Sequence, residues 1–344
     1  MTDAPLRLRL DTAALVANWR ALDALSGAAA CGAAIKADGY GLGAAGVAER
    51  LAGAGCRDFF VASWGEAERL AGLGFDIAVL HGVRAEDMAA ATSGIARPVL
   101  NTAAHVARWR AGGGGRCDVM VDTGMNRLGV SIAEVASGLL DGLAIDTLMS
   151  HLACADEDSA MNARQAAALR GLGGRTAARR LSLANSAGIA LGADYAFDLT
   201  RPGLALYGGV PRGELAGVVG QVVTPEAQIL QRRTLQAGDS IGYNAQFTAA
   251  APLEVAILNI GYADGYWRGF SNAGTARAGA AALPVIGRVS MDLTAISVAA
   301  APELGEGDWV ALDYALPAAA AASGMSQYEL LTGLGQRFER RWTA

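Results

Sequence analysis

Through the first two-thirds of the chain, short apolar runs alternate with stretches whose apolar residues recur at helical spacing. The runs fall near 29–35, 58–62, 77–81, 97–100, 117–122, 145–150, 181–184 and 197–201, with Ala/Leu-rich segments between them. Each run predicts a strand and each intervening segment a helix. Asp11 precedes TAALVANWRAL and is placed to cap the first helix. Eight strand-then-helix units are the count of a closed (β/α)8 barrel. An open doubly wound sheet is the rival arrangement. Against it, no GxGxxG follows the first strand; GYGLGAAG (39–46) comes close, but a lysine stands ahead of its glycines.

After about residue 215 the helical periodicity fades. Short β-like runs such as LEVAILNI (253–260) and LPVIG (283–287) lie between Gly, Pro and Asp turns, and QAGDSI (236–241) and GEGDWVAL (305–312) read as turn followed by strand. AAAAAS (318–323) reads as a helix start or an alanine-rich loop. The expected organisation is an α/β chain of two domains, a (β/α)8 barrel over 1–219 and a mostly β domain over 220–344. In such a barrel the chemistry sits at the C-terminal ends of the strands. Those ends carry Lys36, Ser63, His81, Asn101, Asp122, His151, Asn185 and Arg201. Strands generally end in polar loops, so the whole set weighs more than any one member.

Composition narrows the function classes. A net charge of −5 leaves no basic surface of the kind that nucleic acid requires. Hydrophobic residues make up 52%, much of it alanine, and no run approaches the ~18 apolar residues of a membrane span. The opening MTDAPLRLRLD has no apolar signal-peptide core, so a cytoplasmic protein is expected. Four scattered cysteines without a CxxC read as small core residues, and three histidines argue against a histidine-rich metal site. Of 28 lysines and arginines only one, Lys36, is a lysine. Codon bias accounts for the arginines. It does not account for the exception, and an amine can lose its proton and attack a carbonyl where a guanidinium cannot.

Lys36 closes an apolar strand and leads into the glycine-rich turn ADGYGLG. A lysine desolvated there can have its pKa lowered and form a Schiff base; a solvated loop lysine is the plain alternative. Tyr40 in that turn could reach a phosphate. In DTGMNRLG (122–129), Arg127 could fork onto a carboxylate, or be a surface arginine. His151 reads as a hydrogen-bonded histidine or as support for a neighbour. Ser186 in NSAG lies at a helix start, suited to a phosphate or to plain capping. Arg201 on the last strand is followed by Gly203 and Leu204. In the β domain, IGYNAQF presents Tyr243, IGYADGYWRG presents Tyr262 and Tyr266, and GRVSMDL presents Met291 and Asp292. Taken alone, these residues indicate a barrel with a possible reactive amine and several anion-binding groups.

Together the segments resemble the alanine racemases, in order, from Lys36 to Tyr328 in SQYELLTGLGQR. The resemblance implies a pyridoxal-phosphate enzyme with a (β/α)8 barrel, a C-terminal β domain and a homodimeric active site. It implies that Lys36 holds pyridoxal phosphate as an aldimine. Tyr40, Ser186, the backbone at Gly203 and Leu204, and Tyr328 would cradle the phosphate. Arg201 would face the pyridine nitrogen with His151 behind it. Arg127 and the N–H of Met291 would hold the substrate carboxylate, and Tyr262 would narrow the entrance. Lys36 would be the base for D-alanine and Tyr243, delivered by the partner subunit, the base for L-alanine. The product would supply D-alanine for peptidoglycan.

The sequence departs from the family at one place. Many members carry a carbamylated lysine seven residues before the arginine of DTGM-x-R, and here that position is Met120. A bound anion such as chloride, or a neighbouring polar group, is expected to steady Arg127 instead. The alternatives are a racemase of serine or of broader range, a non-catalytic pyridoxal-phosphate carrier, and a barrel decarboxylase of basic amino acids. The β domain bearing Tyr243 argues against the carrier. GYNAQF and SMDL fit the racemase pattern better than the decarboxylase.

Overall fold

The computed structural model describes residues 4–343. The chain divides into two compact units, one of Leu15–Gly220 and one that joins the residues up to Ala14 with those from Gln221 onward.

In the first unit, the strands Asp58–Val61, Asp76–Val79, Arg97–Leu100, Arg116–Asp122, Ala144–Met149, Arg180–Ser182 and Leu199–Thr200 pair in parallel, each with the next. The circle is closed by two short pieces on either side of Gly32. Ala30–Cys31 pairs with Leu199–Thr200, and Ala33–Ala34 pairs with Asp58–Val61. The two pieces are one barrel strand, so the count is eight, and a short extra strand, Val130–Ser131, pairs with the end of Arg116–Asp122. A Cβ on Gly32 would lie 2.9 Å from Asp58 O and from Phe60 Cε2, so only glycine lets the first two strands approach this closely. Ile35, Val61, Val79, Leu100, Val119, Val121, Leu148 and Met149 are buried in the core. Helix Thr12–Ser26 begins where Asp11 Oδ1 accepts the N–H of Ala14 at 2.8 Å, and it buries Leu15, Trp19 and Leu22 on one stripe.

The N-terminal mouth of the barrel is filled by charge. Arg97 ion-pairs with Asp76 and lies 3.4 Å from Asp118 and 3.9 Å from Asp146. Arg180 forks onto Asp58 at 2.7 and 3.0 Å and reaches Asp146 at 2.7 Å. Asp118 is fully buried, and burial raises its pKa against the pull of Arg97.

The second unit is built on a closed antiparallel ring. Its strands run in the order Leu253–Leu258, Thr294–Ser297, Ala281–Ile286, Thr275–Ala278, Trp309–Leu312 and Val223–Leu235, and the last pairs back onto the first. Val223–Leu235 spans the join with a bulge between Ile229 and Gln231. The alanine-rich stretch is helical, over Leu316–Ser323.

The start of the chain departs from the expected division at 219. Strand Leu6–Asp11 pairs with Val223–Leu235 and with Glu339–Thr343, so it belongs to the β-rich unit and not to the barrel. LRLRL alternates with period two: Leu6, Leu8 and Leu10 are buried, while Arg7 and Arg9 pair with Glu226. Such alternation suits a sheet with one wet face, unlike the continuous apolar runs of the barrel.

Removing Arg97 would leave the buried Asp118 without its ion-pair partner in the barrel floor. Arg97→Ala is therefore expected to cost about 3–5 kcal/mol in urea unfolding. Arg116→Ala, at a half-exposed member of the same network, should cost under about 1 kcal/mol. Equal losses would contradict this account of the floor.

Candidate active site

Lys36 follows the first barrel strand at its C-terminal end. Behind it the backbone enters a left-handed turn, with φ of 53° at Ala37, 54° at Asp38, 64° at Gly39, 55° at Tyr40 and 85° at Gly41. Three of these residues carry a Cβ, and each costs about 1–2 kcal/mol in that conformation. Such a turn persists only where its surroundings hold it. Here Gly39 N–H donates to Ile35 O, Gly41 N–H to Ala37 O and Gly43 N–H to Asp38 O, each at 2.8 Å. Asp38 Oδ1 accepts the N–H of Ala44 at 2.9 Å, and Glu66 Oε1 accepts that of Ala37 at 2.6 Å.

Burial lowers the pKa of the Lys36 amine, and Arg127 and Arg201 lower it further, with Glu66 opposing them. Arg201, at the end of the eighth strand, is almost fully buried. It donates to Ser182 Oγ and to Ser150 O, the latter at 2.6 Å, and lies 5.9 Å from the Phe60 ring centre. Burial brings its pKa down to about 10, so it remains a cation at neutral pH. Burial, then Arg201, Arg127 and Lys36, push the pKa of His151 down to about 3, which leaves a neutral imidazole. Lys36, Arg127, His151 and Arg201 come from different strand ends, and the charges of Arg127 and Arg201 act on both the Lys36 amine and the His151 imidazole.

Beside them lies a small-residue cradle. Asn185 caps helix Ser186–Ala190 through Gly188 N–H at 2.8 Å. Ser186 Oγ accepts the N–H of Gly203 at 2.9 Å and of Ala205 at 3.1 Å. Leu204 opens a 3-10 turn, Leu204–Tyr207. Tyr207 donates to Ala34 O at 2.9 Å and stacks on Tyr40 at 4.8 Å between ring centres. A Cβ on Gly203 would collide with the Tyr40 hydroxyl.

Arg127 rides an exposed loop. Asp122 Oδ1 accepts the N–H of Gly124 at 2.8 Å and of Asn126 at 3.1 Å, which shapes the loop locally. Thr123 Oγ1 and Ser150 Oγ share a hydrogen bond of 2.7 Å, and buried Gln165 donates to Thr123 Oγ1 at 3.3 Å and to His151 O at 2.9 Å. Among the described residues no carboxylate pairs with Arg127. Met120 is packed in its strand against Met149 of the next one. Three supporting residues were missed from sequence. Glu66 had a visible signal, the capping-box spacing of Ser63 and Glu66. Tyr207 and Gln165 had none.

The β-rich unit gathers its own candidates. The Tyr262 N–H donates to Ser290 O at 3.0 Å and that of Ala263 to Met291 O at 2.9 Å. A Cβ on Gly242 would lie 3.5 Å from Arg288 N, so the Tyr243 turn adjoins the same segment. Arg337 ties Asp264 and Asp292 together at 2.6 and 2.7 Å. Arg268 lies over the Tyr262 ring at 4.8 Å. Tyr243, Met291 and Tyr328 are 65%, 54% and 45% exposed, while Tyr266 is a core residue stacked on Phe270. Among the described residues no His/Cys/Asp/Glu group could hold a metal, and no helix is long and apolar enough to cross a membrane.

An amine of lowered basicity on a clamped turn, with the charges of Arg127 and Arg201 acting on it at the C-terminal mouth of a (β/α)8 barrel, is built for amine–carbonyl chemistry on anionic reactants. That is an enzyme site. The particular family follows from comparison with known proteins. Residues 10–211 match the family model "Alanine racemase, N-terminal domain" and residues 222–342 match "Alanine racemase, C-terminal domain". The alanine racemase of Acidiphilium cryptum is 41% identical over 97% of both chains. A protein of Agrobacterium fabrum named as a catabolic alanine racemase is 40% identical over 97% of this chain and 91% of its own. The crystal structure of the Bartonella henselae alanine racemase, described with covalently bound pyridoxal phosphate, superposes with a TM-score of 0.89 at 33% identity, covering 99% of this chain and 100% of that one. The chain belongs to the alanine racemase family and is an isomerase of the amino-acid racemase class.

The depressed basicity of His151 has a direct signature. Its imidazole proton resonances should stay flat from pH 8 to 5, where an ordinary histidine titrates near 6.5. The unfolded chain binds this proton at about 6.5 and the folded one at about 3, so the group costs stability progressively as pH falls between those values. A titration midpoint near 6.5 would refute the buried, cation-ringed environment.

Proposed function

We propose that this chain interconverts L- and D-alanine by a two-base mechanism, with Lys36 on one face of the substrate and Tyr243 of the partner subunit on the other. One observation carries the reading above the rest: the sole lysine stands on a strained, clamped turn with its basicity lowered, beside two arginines and a hydroxyl cradle.

The cofactor is pyridoxal phosphate. The residues present suit it. Gly203, where any Cβ would strike Tyr40, keeps room beside Ser186 for a phosphate, and Lys36 is the amine for its aldehyde. Tyr40, Ser186 and the backbone at Gly203 and Leu204 would hold the phosphate, with Tyr328 adding a hydroxyl. When bound, the cofactor withdraws electrons from the substrate α-carbon and makes its proton acidic. Arg127 and the Met291 N–H of the partner would fix the substrate carboxylate, so that the α-proton points at one base. Lys36 Nζ takes that proton from D-alanine and returns one to make it; Tyr243 Oη does the same for L-alanine. Arg201 donates hydrogen bonds and accepts none, which would keep the ring nitrogen it faces unprotonated and limit side reactions. His151, neutral behind it, adds no competing charge. Tyr262 would narrow the entrance to small side chains.

The exposed Tyr243, Met291 and Leu293 give the β-rich unit an apolar face suited to a second copy of this chain, and the site would be complete only in the homodimer. The product would serve peptidoglycan in the cytoplasm. The catabolic name of one relative marks the other direction of use.

Borohydride treatment of the loaded enzyme should leave the cofactor mass on the Lys36 peptide; an unmodified Lys36 peptide would refute the assignment. Tyr243→Phe should slow deuterium exchange into L-alanine by about 10²–10⁴-fold and into D-alanine far less. Equal losses in both directions would rule out the two-base assignment.

A further inference from the structure

Glu66 has no part in the chemistry described so far. It is third in the helix Trp64–Arg69, and its carboxylate accepts more than a helix cap needs. Oε2 accepts the N–H of Ser63 at 3.2 Å, which with Ser63 Oγ to the Glu66 N–H makes a capping box. The same oxygen accepts the N–H of Ala62 at 2.6 Å, and Oε1 accepts that of Ala37 at 2.6 Å. Ala37 is the residue after Lys36 and the first in the left-handed turn. One carboxylate therefore bridges the end of the second barrel strand to the turn that aims the amine.

We propose that Glu66 is the positioning residue of the Lys36 amine: it clamps the strained turn behind Lys36 and sets a negative charge against the arginines that face that amine.

The charges on the amine come from several elements. Arg127 comes from the loop after the fifth strand and Arg201 from the eighth strand, while His151, after the sixth, is neutral. Asp38, on the turn itself, is bonded to Ala44 N–H. Glu66 is the carboxylate that opposes them, acting to raise the basicity that burial and the arginines lower. A lysine that must both attack as a free amine and later carry a proton needs both influences, since the arginines alone would leave it a poor base. That consequence rests on the racemase reading; the clamp and the charge do not.

Because Lys36 is the only lysine, amine-selective acetylation of the full chain stripped of cofactor, read on the Lys36 peptide by mass spectrometry, follows this one side chain without any assay of activity. Glu66→Gln should lower the pH midpoint of labelling by about half a unit or more, since the pair is only partly buried. Glu66→Asp keeps the charge but falls short of Ala37. Its midpoint should match wild type, while the loaded enzyme should release cofactor at least about ten-fold faster, followed by absorbance. Ser63→Ala removes the cap alone and should lower the melting temperature without moving the labelling curve. A Glu66→Gln curve that superimposes on wild type overturns the charge role. Cofactor release by Glu66→Asp at the wild-type rate overturns the clamp. Should Glu66→Gln fail to fold, Glu66→Asp decides alone: its midpoint at wild type with faster release supports the proposal, and any other pairing overturns it. A wild-type chain that does not racemise alanine would refute the proposed function and leave the labelling comparison intact.

Discussion

Closure of the barrel through residues 30–34 is the constraint on which the site depends. The strand must pair with the eighth strand before Gly32 and with the second after it, and the backbones come too close there for any side chain at 32. Once closed, the first and eighth strands bring Lys36 and Arg201 to the same mouth, although 165 positions separate them in the numbering. The charged floor of Arg97, Arg180 and four aspartates fills the opposite end. The two ends thus separate two uses of charge. At the floor the ions are paired with one another, and at the mouth cations gather with little to neutralise them.

That excess of positive charge accounts for the behaviour of each group at the mouth. Arg201 stays charged because its donors are taken by Ser182 and by the carbonyl of Ser150. His151 yields, because a neutral imidazole is the cheaper state beside the positive charge of Arg201 and Arg127 in a partly buried place. Lys36 lies between these cases, lowered but opposed by Glu66. Arg127 is held through its loop, by Asp122, Thr123, Ser150 and Gln165, while its guanidinium meets no carboxylate among the described residues. Met120 is buried in the strand below, in register with Met149.

Much of this was legible in the chain. The eight apolar runs fall within about two residues of the observed strands, because strands buried in a closed barrel must be nearly continuously apolar. Lys36, His151 and Arg201 stood out as polar groups at strand ends, and Arg127 and Ser186 stood out in the motifs DTGMNRLG and NSAG; in the structure the charges of Arg127 and Arg201 act on both Lys36 and His151. Leu6–Asp11 was legible too, through its period-two alternation, but its partners lie more than two hundred positions away, and no local pattern names them. Gln165 and Tyr207 read as ordinary helix and core residues. Their importance lies wholly in what they touch.

The division of labour has a physical basis. Period, capping and composition are local properties, so the linear chain already determined the elements, the two-part organisation and the single amine able to do carbonyl chemistry. Burial, charge environment and backbone strain arise only when distant segments meet. Tertiary structure alone decided that burial and nearby arginines lower the basicity of His151, that the turn after Lys36 is left-handed, and that Glu66, from the helix after the second barrel strand, accepts the N–H of Ala37 in that turn.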